Sequence, residues 1–346
     1  MAKIKVAVLG ATGNVGQRLI QLLEGHPWFE LVSITASDRS VGKKYREAAN
    51  WRLNAEIPEN ARDLMVMPTE PKGVSESAKL VFSALPAEIA RAVEPEFAKA
   101  GFYVSSNASA HRMEKDVPLI IPEVNPDHLD LLEVQRETRK WSGALLTDPN
   151  CTVIQLVISL KPLMQFGIKR VHVASMQAVS GAGYEGVASM AILDNLIPYI
   201  ANEEEKVESE PLKILGTFNG REVKFAKFSI TASCHRVSVL DGHTEAIWVE
   251  MEEEPKIEEV IQAFRNFKSD LKLPSSPEEL IRVRMEPDRP QPRLDRDAGK
   301  GMTVTVGRVR KSDGGIKYIC LGHNTIRGAA GAALLNGELL VKKKKL

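Results

Sequence analysis

The stretch TDPNCTVIQL, residues 147–156, sets one cysteine between a proline-containing turn and a strongly apolar run. Asn150 is a good helix N-cap, and so uniform an apolar run predicts a buried helix whose first turn holds Cys151. There the positive end of the helix dipole lowers a thiol pKa and favours a nucleophilic thiolate. The competing reading is a small buried hydrophobe. A thiol that forms a hemithioacetal needs a base for its proton and a donor for the developing oxyanion. His243, in LDGHTEAIWVE, opens a strand after a glycine turn, and Arg236, in CHRVSV, lies seven residues earlier on the strand entering that turn. An arginine beside a histidine suggests a carboxylate clamp next to an acid/base. Taken separately, Arg236 reads as a surface ion pair and His243 as a turn residue. Cys234 and Cys320 fall inside strand patterns and read as core packing.

A second chemical signal lies at the start of the chain. VAVLGATGNVG carries Gly10, Gly13 and Gly16 directly after a strand and before a helix. Glycines there let the backbone approach a pyrophosphate, which the helix N-terminus stabilises through its free N–H groups and dipole. Three glycines alone are weak evidence, since a purely structural turn uses them too. Their place at the first strand of an alternating pattern favours dinucleotide binding. The second strand ends in ASDRS, residues 36–40. Arg39 with Ser37 and Ser40 suits the 2′-phosphate of NADP, whereas Asp38 would bind a free ribose hydroxyl and so keeps NAD use open; a solvated turn is the bland alternative.

These residues need elements to position them. Residues 4–9 read as a strand, 14–23 as a helix closed by Gly25 and Pro27, and 31–37, 80–85 and 102–107 as further strands, with a helix in PAEIARAVEPEFAKAG. Strands alternating with helices imply a parallel, doubly wound sheet. After Cys151 the pattern changes. Residues 171–180, 228–239, 245–252, 302–310 and 316–324 alternate apolar and polar in the manner of a largely antiparallel sheet with one covered face. The expected architecture is therefore α/β: an N-terminal Rossmann-type NADP-binding domain, residues 1–150 joined by the helical C-terminal segment 325–346, and a second, α+β domain, 151–324, on a largely antiparallel sheet. KKKKL reads as a solvated end, the acidic run NEEEKVESE (202–210) as a solvated helix face, and the proline-rich stretch 286–301 as a binding loop or an arm reaching a partner subunit.

Composition excludes several classes of function. The 346 residues suit two domains, or one large α/β domain with an insertion. With 46 Lys+Arg against 45 Asp+Glu, the net charge of +1 gives no electrostatic reason to expect nucleic acid. The opening residues enter a strand with no secretory pattern, and no apolar run reaches membrane-spanning length, so a cytoplasmic location without membrane association is expected. Three cysteines, odd in number and without a CxxC pair, suggest neither a disulfide framework nor a cysteine zinc site, and no histidine–carboxylate constellation suggests another metal.

Across nearly its whole length the chain resembles the archaeal and fungal aspartate-semialdehyde dehydrogenases. The resemblance runs through GATGNVGQRLI, SDRSVGKKY, SNASAHRM, DPNCT, MQAVSGAGYEGV, KILG, CHRV, DGHT, RPQPRLDR and HNTIRGAAG. It implies NADPH-dependent conversion of 4-aspartyl phosphate to aspartate 4-semialdehyde on the route to lysine, threonine, methionine and isoleucine. Cys151 would be the nucleophile and His243 the acid/base, with Asn150 and Gln177 orienting the thioester. Arg236 would bind the α-carboxylate and Glu210 the amino group, while Lys213 and Arg112 would form the phosphate site. The implied cofactor set is Gly10, Thr12, Gly13, Asn14, Val15, Gly16, Ser37, Arg39 and Ser40, with Ser180, Gly181, Gly183 and Asn324 bordering the nicotinamide. The resemblance also implies a homodimer or homotetramer, with 151–324 as the catalytic and dimerisation domain. The alternatives are a malonyl-CoA or succinyl-CoA reductase of the same superfamily, N-acetylglutamyl-phosphate reductase, and a non-catalytic NADP-binding redox sensor.

Overall fold

The run Ile4–Leu9 forms β1, and its last four residues are buried. The structure, a computed structural model, describes residues 2–346. Phe29–Thr35 is β2, Val66–Met67 β3, Leu80–Ser83 β4, Tyr103–Ser106 β5 and Ala144–Thr147 β6. They form one sheet in the order β3-β2-β1-β4-β5-β6, with every pairing parallel. Both faces are covered, which is why strands such as LVFS and ALLT are apolar with little alternation. On one face Ala90 and Phe97 of the Ala87–Lys99 helix pack with Ala7, Val81 and Val104. On the other, the Asn14–Leu23 helix and the final helix, Gly331–Lys342, bring Leu19, Ile20, Leu335 and Leu339 against Val6, Val8 and Phe82. The C-terminal segment thus returns to the first sheet, as its composition suggested. Its tail is less free than expected, because Lys345 pairs with Asp130 at 2.9 Å and Glu133 at 2.6 Å.

The second half supplies Ile168–Gln177 as β7, a separate hairpin of Thr217–Phe218 (β8) and Val223–Lys224 (β9), and then Ser229–Arg236 (β10), His243–Met251 (β11), Ile281–Arg284 (β12), Val304–Ser312 (β13) and Gly315–Gly322 (β14). The sheet order is β10-β7-β11-β14-β13-β12. Its three central pairings are antiparallel, but both edge strands, β10 and β12, pair parallel to their neighbours. The sheet is therefore mixed. Residue alternation reports which face is covered and says nothing of strand direction, which the long crossovers between β7 and β10 and between β12 and β13 decide.

The helix Cys151–Leu160 lies buried on this sheet. Spacing of four residues places Cys151, Gln155 and Ser159 on one face. They meet His243 and Glu245 of β11 and Tyr318 of β14, Gln155 donating to Glu245 at 2.8 Å and Ser159 Oγ standing 2.9 Å from the Tyr318 hydroxyl. This polar ladder sets the helix register and so the height of the thiol.

Of the two irregular stretches, the acidic run differs from expectation. The acidic run opens the helix Glu203–Ile214, which packs on β10 rather than facing water. Glu204 and Glu208 accept the backbone N–H groups of Cys234 and Ala232, both at 2.9 Å, and so satisfy the outer side of an edge strand. The proline-rich stretch is braced by one buried carboxylate. Asp295, 1% exposed, accepts from Arg284, Arg289 and the Gln291 amide and folds the loop on itself.

Candidate active site

Strand β6 ends at Thr147, and Asp148 and Pro149 turn the chain into the helix. Asn150 caps that helix as its residue type suggested, accepting from Thr152 N at 2.8 Å and Val153 N at 3.3 Å. Cys151 is the first helical residue, and its Sγ lies 3.2 Å from His243 Nε2. Parallel pairing of β7 with β10 sets Gln177 opposite Arg236, each the last residue of its strand. His243 is the first residue of the neighbouring antiparallel β11, so three strand ends deliver these side chains to one edge of the sheet. Arg236 Nη1 donates to the Ala178 carbonyl at 2.7 Å, the Ala178 N–H donates to His243 Nδ1 at 3.0 Å, and Gln177 donates to Ser175 Oγ at 3.1 Å.

The loop after β7 closes over this group. Gly181 lets the loop lie close, since a Cβ there would stand 2.9 Å from Arg236 Nη1 and 3.1 Å from His243 Cε1 and would make those side chains shift. Asn324 fastens the loop by donating to Ser180 Oγ and accepting the Gly242 N–H, both at 2.8 Å. Ser180, Gly181, Gly183 and Asn324 all line a cleft of about 500 Å³ that also holds Cys151, Gln177 and Arg236.

The same cleft receives the loops after β1, β4, β5 and β6, through Asn14 and Val15, Leu85 and Ala87, Asn107 and Arg112, and Asn150. That is the crevice at the carboxyl ends of a doubly wound sheet, where the strand order switches between β1 and β4. Gly10 has φ +75°, and a Cβ there would meet the Ala84 carbonyl at 2.8 Å; one on Gly16 would meet the Gly10 carbonyl at 2.2 Å. The helix starting at Asn14 has Gly13 at its N-cap, no side-chain cap and no acidic residue in its first turn. Its amino end is free to meet an anion, which fits a dinucleotide pyrophosphate. Thr12 lies in the same turn, its carbonyl accepting from Gln17 at 3.0 Å. Beyond β2, Ser37, Asp38 and Arg39 stand exposed, and Ser40 N–H closes a turn on the Ser37 carbonyl at 2.8 Å.

Two expected substrate residues are not presented to the cleft. Lys213, 1% exposed, donates to the carbonyls of Arg112, Glu114 and Val117 at 2.6, 2.7 and 2.8 Å, which uses all three of its protons. Glu210, 2% exposed, accepts from Arg112 Nη1 at 3.0 Å and from the Asn150 N–H at 2.7 Å. Both therefore hold the walls of the site. The lining residues are Glu203 and Lys206, seven positions earlier on the same helix. Glu203 accepts from Asn150 Nδ2 at 2.8 Å and pairs with Lys206 at 3.3 Å. The signal for them was present: the E-x-x-K spacing occurs twice in EEEKVESEPLK, and seven residues bring a helix back to the same face. Arg112 lines the cleft as expected, steadied by Glu210 and by its bond to the Asn107 carbonyl at 2.7 Å.

The electrostatics around the thiol act against the helix dipole. Burial pushes the Cys151 thiol up to about 12, with Glu203 adding to the rise and Arg112, Arg236 and Lys206 opposing it. Burial is the largest influence against the helix start, with the Glu203 carboxylate second, and Asn150 occupies the Thr152 and Val153 N–H groups. Burial, with Arg236 and His323, brings His243 down to about 3. Among the described residues no group of three His, Cys, Asp or Glu is placed to hold a metal, and no helix is long and apolar enough to cross a membrane.

Residues 5–132 match the family described as semialdehyde dehydrogenase, NAD binding domain, and residues 160–327 match semialdehyde dehydrogenase, dimerisation domain. The aspartate-semialdehyde dehydrogenase of Archaeoglobus fulgidus is 61% identical over 343 residues, covering 99% of each chain. That of Methanothermobacter thermautotrophicus is 55% identical, covering 97% of this chain and 99% of its own. The crystal structure of aspartate semialdehyde dehydrogenase with NADP from Candida albicans is 42% identical, covers 100% of both chains and superposes with a TM-score of 0.91. With the glycine loop, the cysteine–histidine pair and both sheets in their expected places, the chain belongs to the aspartate-semialdehyde dehydrogenase family.

Proposed function

We propose that the protein reduces 4-aspartyl phosphate to aspartate 4-semialdehyde with NADPH, and oxidises the semialdehyde with phosphate and NADP, in the biosynthesis of lysine, threonine, methionine and isoleucine. The observation that carries this reading is the pairing of Cys151 with His243 at 3.2 Å in a cleft that also presents Arg236, Glu203, Lys206 and Arg112. A four-carbon amino acid phosphate has one carboxylate, one ammonium and one phosphate to be bound, and these four side chains supply complementary charges.

Cys151 sulfur displaces phosphate from the acyl carbon and holds the resulting thioester. Asn150 and Gln177 orient it. Arg236 takes the α-carboxylate, and Glu203 takes the ammonium in place of Glu210. Lys206 and Arg112 take the phosphate, with Lys213 and Glu210 holding the backbone and guanidinium behind them. His243 faces the sulfur as it arrives and departs. The cofactor, when bound, would supply hydride; Gly10, Thr12, Gly13, Asn14, Val15 and Gly16 would hold its pyrophosphate, Ser180, Gly181, Gly183 and Asn324 would border its nicotinamide, and Ser37, Arg39 and Ser40 would select a 2′-phosphate. Asp38 leaves NAD a route to the same site.

We divide the labour between residues 1–150 with 325–346, which bind cofactor, and 151–324, which carry the chemistry and pair with a second copy. The protein acts in the cytoplasm as a homodimer. Light scattering of the purified protein distinguishes this from a tetramer.

The deciding experiment follows nicotinamide absorbance with aspartate semialdehyde, phosphate and NADP, beside Cys151→Ala, and with malonyl-CoA plus NADPH in a separate cuvette. Phosphate-dependent reduction that vanishes in the variant is expected. Turnover of the acyl-CoA alone would reassign the substrate, and NADP binding without turnover of either would point to a sensor.

A further inference from the structure

Away from the catalytic cleft, a second cavity of about 560 Å³ lies where the two halves of the molecule meet. It shares no lining residue with the cleft. Leu22, near the end of the Asn14–Leu23 helix, and Leu334 of the final helix reach it from the first sheet. The segments 274–279 and 299–303, with Arg282 of β12, close it from the second. Its size is that of a pocket for a small molecule.

Contacts across the junction hold these walls in place. Glu338 of the final helix, wholly buried, accepts from Ser275 Oγ at 2.5 Å and from the Ser275 N–H at 3.1 Å, and it faces His26 Nε2 at 2.9 Å. Thr303 Oγ1 donates to the Glu279 carbonyl at 2.6 Å and so joins the two segments of the second half. Met302 presses on the start of the final helix, where a Cβ on Gly331 would stand 2.4 Å from its Sδ. Gly299, Lys300 and Gly301 all lie in the left-handed region, at φ +55°, +57° and +81°. A lysine enters that region at a cost, and here the turn sets it in the cavity wall.

The lining has two characters. Leu22, Met302 and Leu334 give an apolar surface, with Met302 and Leu334 both buried. The polar part carries both signs of charge. Arg282 Nε donates to Glu279 Oε2 at 2.7 Å, and among the described residues its two Nη groups have no partner. Lys300 and Glu278 are exposed, and among the described residues neither makes an ion pair. Ser276 Oγ is buried in the wall and lacks a hydrogen-bond partner. An inorganic anion would leave the apolar surface unused, and a simple fatty acid would bring no cation to Glu278. A zwitterion with an aliphatic body answers all three features.

We propose that this junction cavity is a second small-molecule site, for an aliphatic α-amino acid. The side chain rests on Leu22, Met302 and Leu334, the carboxylate meets Arg282, Lys300 and the Ser276 hydroxyl, and the ammonium meets Glu278. A molecule bound there touches both halves of the chain at once and stabilises their contact. The site rests on the cavity and its charges, and stands apart from the dehydrogenase reading above.

Titration calorimetry of the full-length protein with L-leucine as the probe tests this. A Kd below about 1 mM is expected, with 4-methylpentanoate, which lacks the ammonium, and 3-methylbutylamine, which lacks the carboxylate, each at least about tenfold weaker. Lys300→Glu and Glu278→Lys, both changes of exposed side chains outside the cleft, are each expected to weaken leucine about fivefold or more while the urea midpoint and the affinity for NADP stay unchanged. No heat of binding up to about 10 mM leucine overturns the proposal. So does 4-methylpentanoate binding as tightly as leucine, which would make the cavity a general apolar pocket. Leucine binding that both variants leave intact, or that aspartate semialdehyde displaces, would put the amino acid in the catalytic cleft and overturn it as well. Should a variant lose stability, the three wild-type titrations still decide.

Discussion

Glu203 with Lys206 and Glu210 with Lys213 are the same two residue types at the same spacing, two turns apart on one face of one helix, yet only the first pair borders the cleft. Lys206 keeps 30% of its side chain exposed, whereas Lys213 is 1% exposed and surrounded by three carbonyls. Spacing identifies a helix face. Depth along the axis decides whether a ligand or the protein's own backbone receives the charge. The deeper pair acts on the site at one remove, since Glu210 grips Arg112 and the Asn150 amide while Lys213 gathers the 112–117 segment.

The largest effect that would sharpen this contrast is on folding. Lys213→Met leaves three buried carbonyls without their donor and is expected to cost roughly 3 kcal/mol or more of stability. A urea midpoint close to the wild type, with a raised KM for phosphate, would instead return Lys213 to the ligand site. Lys206→Ala is expected to do the reverse: KM for phosphate rises about tenfold to a hundredfold, the worth of one or two charge-assisted bonds, while the urea midpoint stays where it was.

The two glutamates give a smaller separation. Glu203→Gln is expected to raise KM for the semialdehyde by about tenfold, having removed the charge facing an ammonium. Glu210→Gln is expected to lower stability by about 1–2 kcal/mol through the weakened Arg112 contact. Equal effects of both on KM would erase the distinction between them.

The smallest expected effect lies in the pH dependence of stability. Burial brings the Lys213 ammonium down to about 8, against Asp116, Glu114 and Glu210, which favour it. Between about 8 and the ordinary lysine value of about 10.4 the unfolded chain holds the proton that the folded chain has released, so Lys213 makes stability rise with pH across that window. Urea melts of the wild type should show this rise relative to Lys213→Met; parallel curves for the two proteins would exclude it.

Much of the site was legible because its signals are local. A strand running into Gly10, Gly13 and Gly16 and an asparagine ahead of an apolar helix each state their own geometry within a dozen residues, and the structure has both. The place of Gln177 opposite Arg236 was not legible, because it depends on β10 pairing parallel to β7 across a crossover of some fifty residues. The thiol's surroundings were not legible for a related reason: a helix dipole is visible in sequence, but the burial that raises the Cys151 pKa and the Glu203 carboxylate, 52 positions away, that adds to it are not.

By itself the sequence determined the alternation of strand and helix, the glycine turn, the cap on the Cys151 helix and the family, all of which follow from residue type and short-range spacing. Only the tertiary structure decided which glutamate and lysine face the cleft, which strands run parallel, and that Nδ1 of His243 meets a donor. Those outcomes depend on burial and on contacts between residues far apart in the chain, and a linear pattern carries neither.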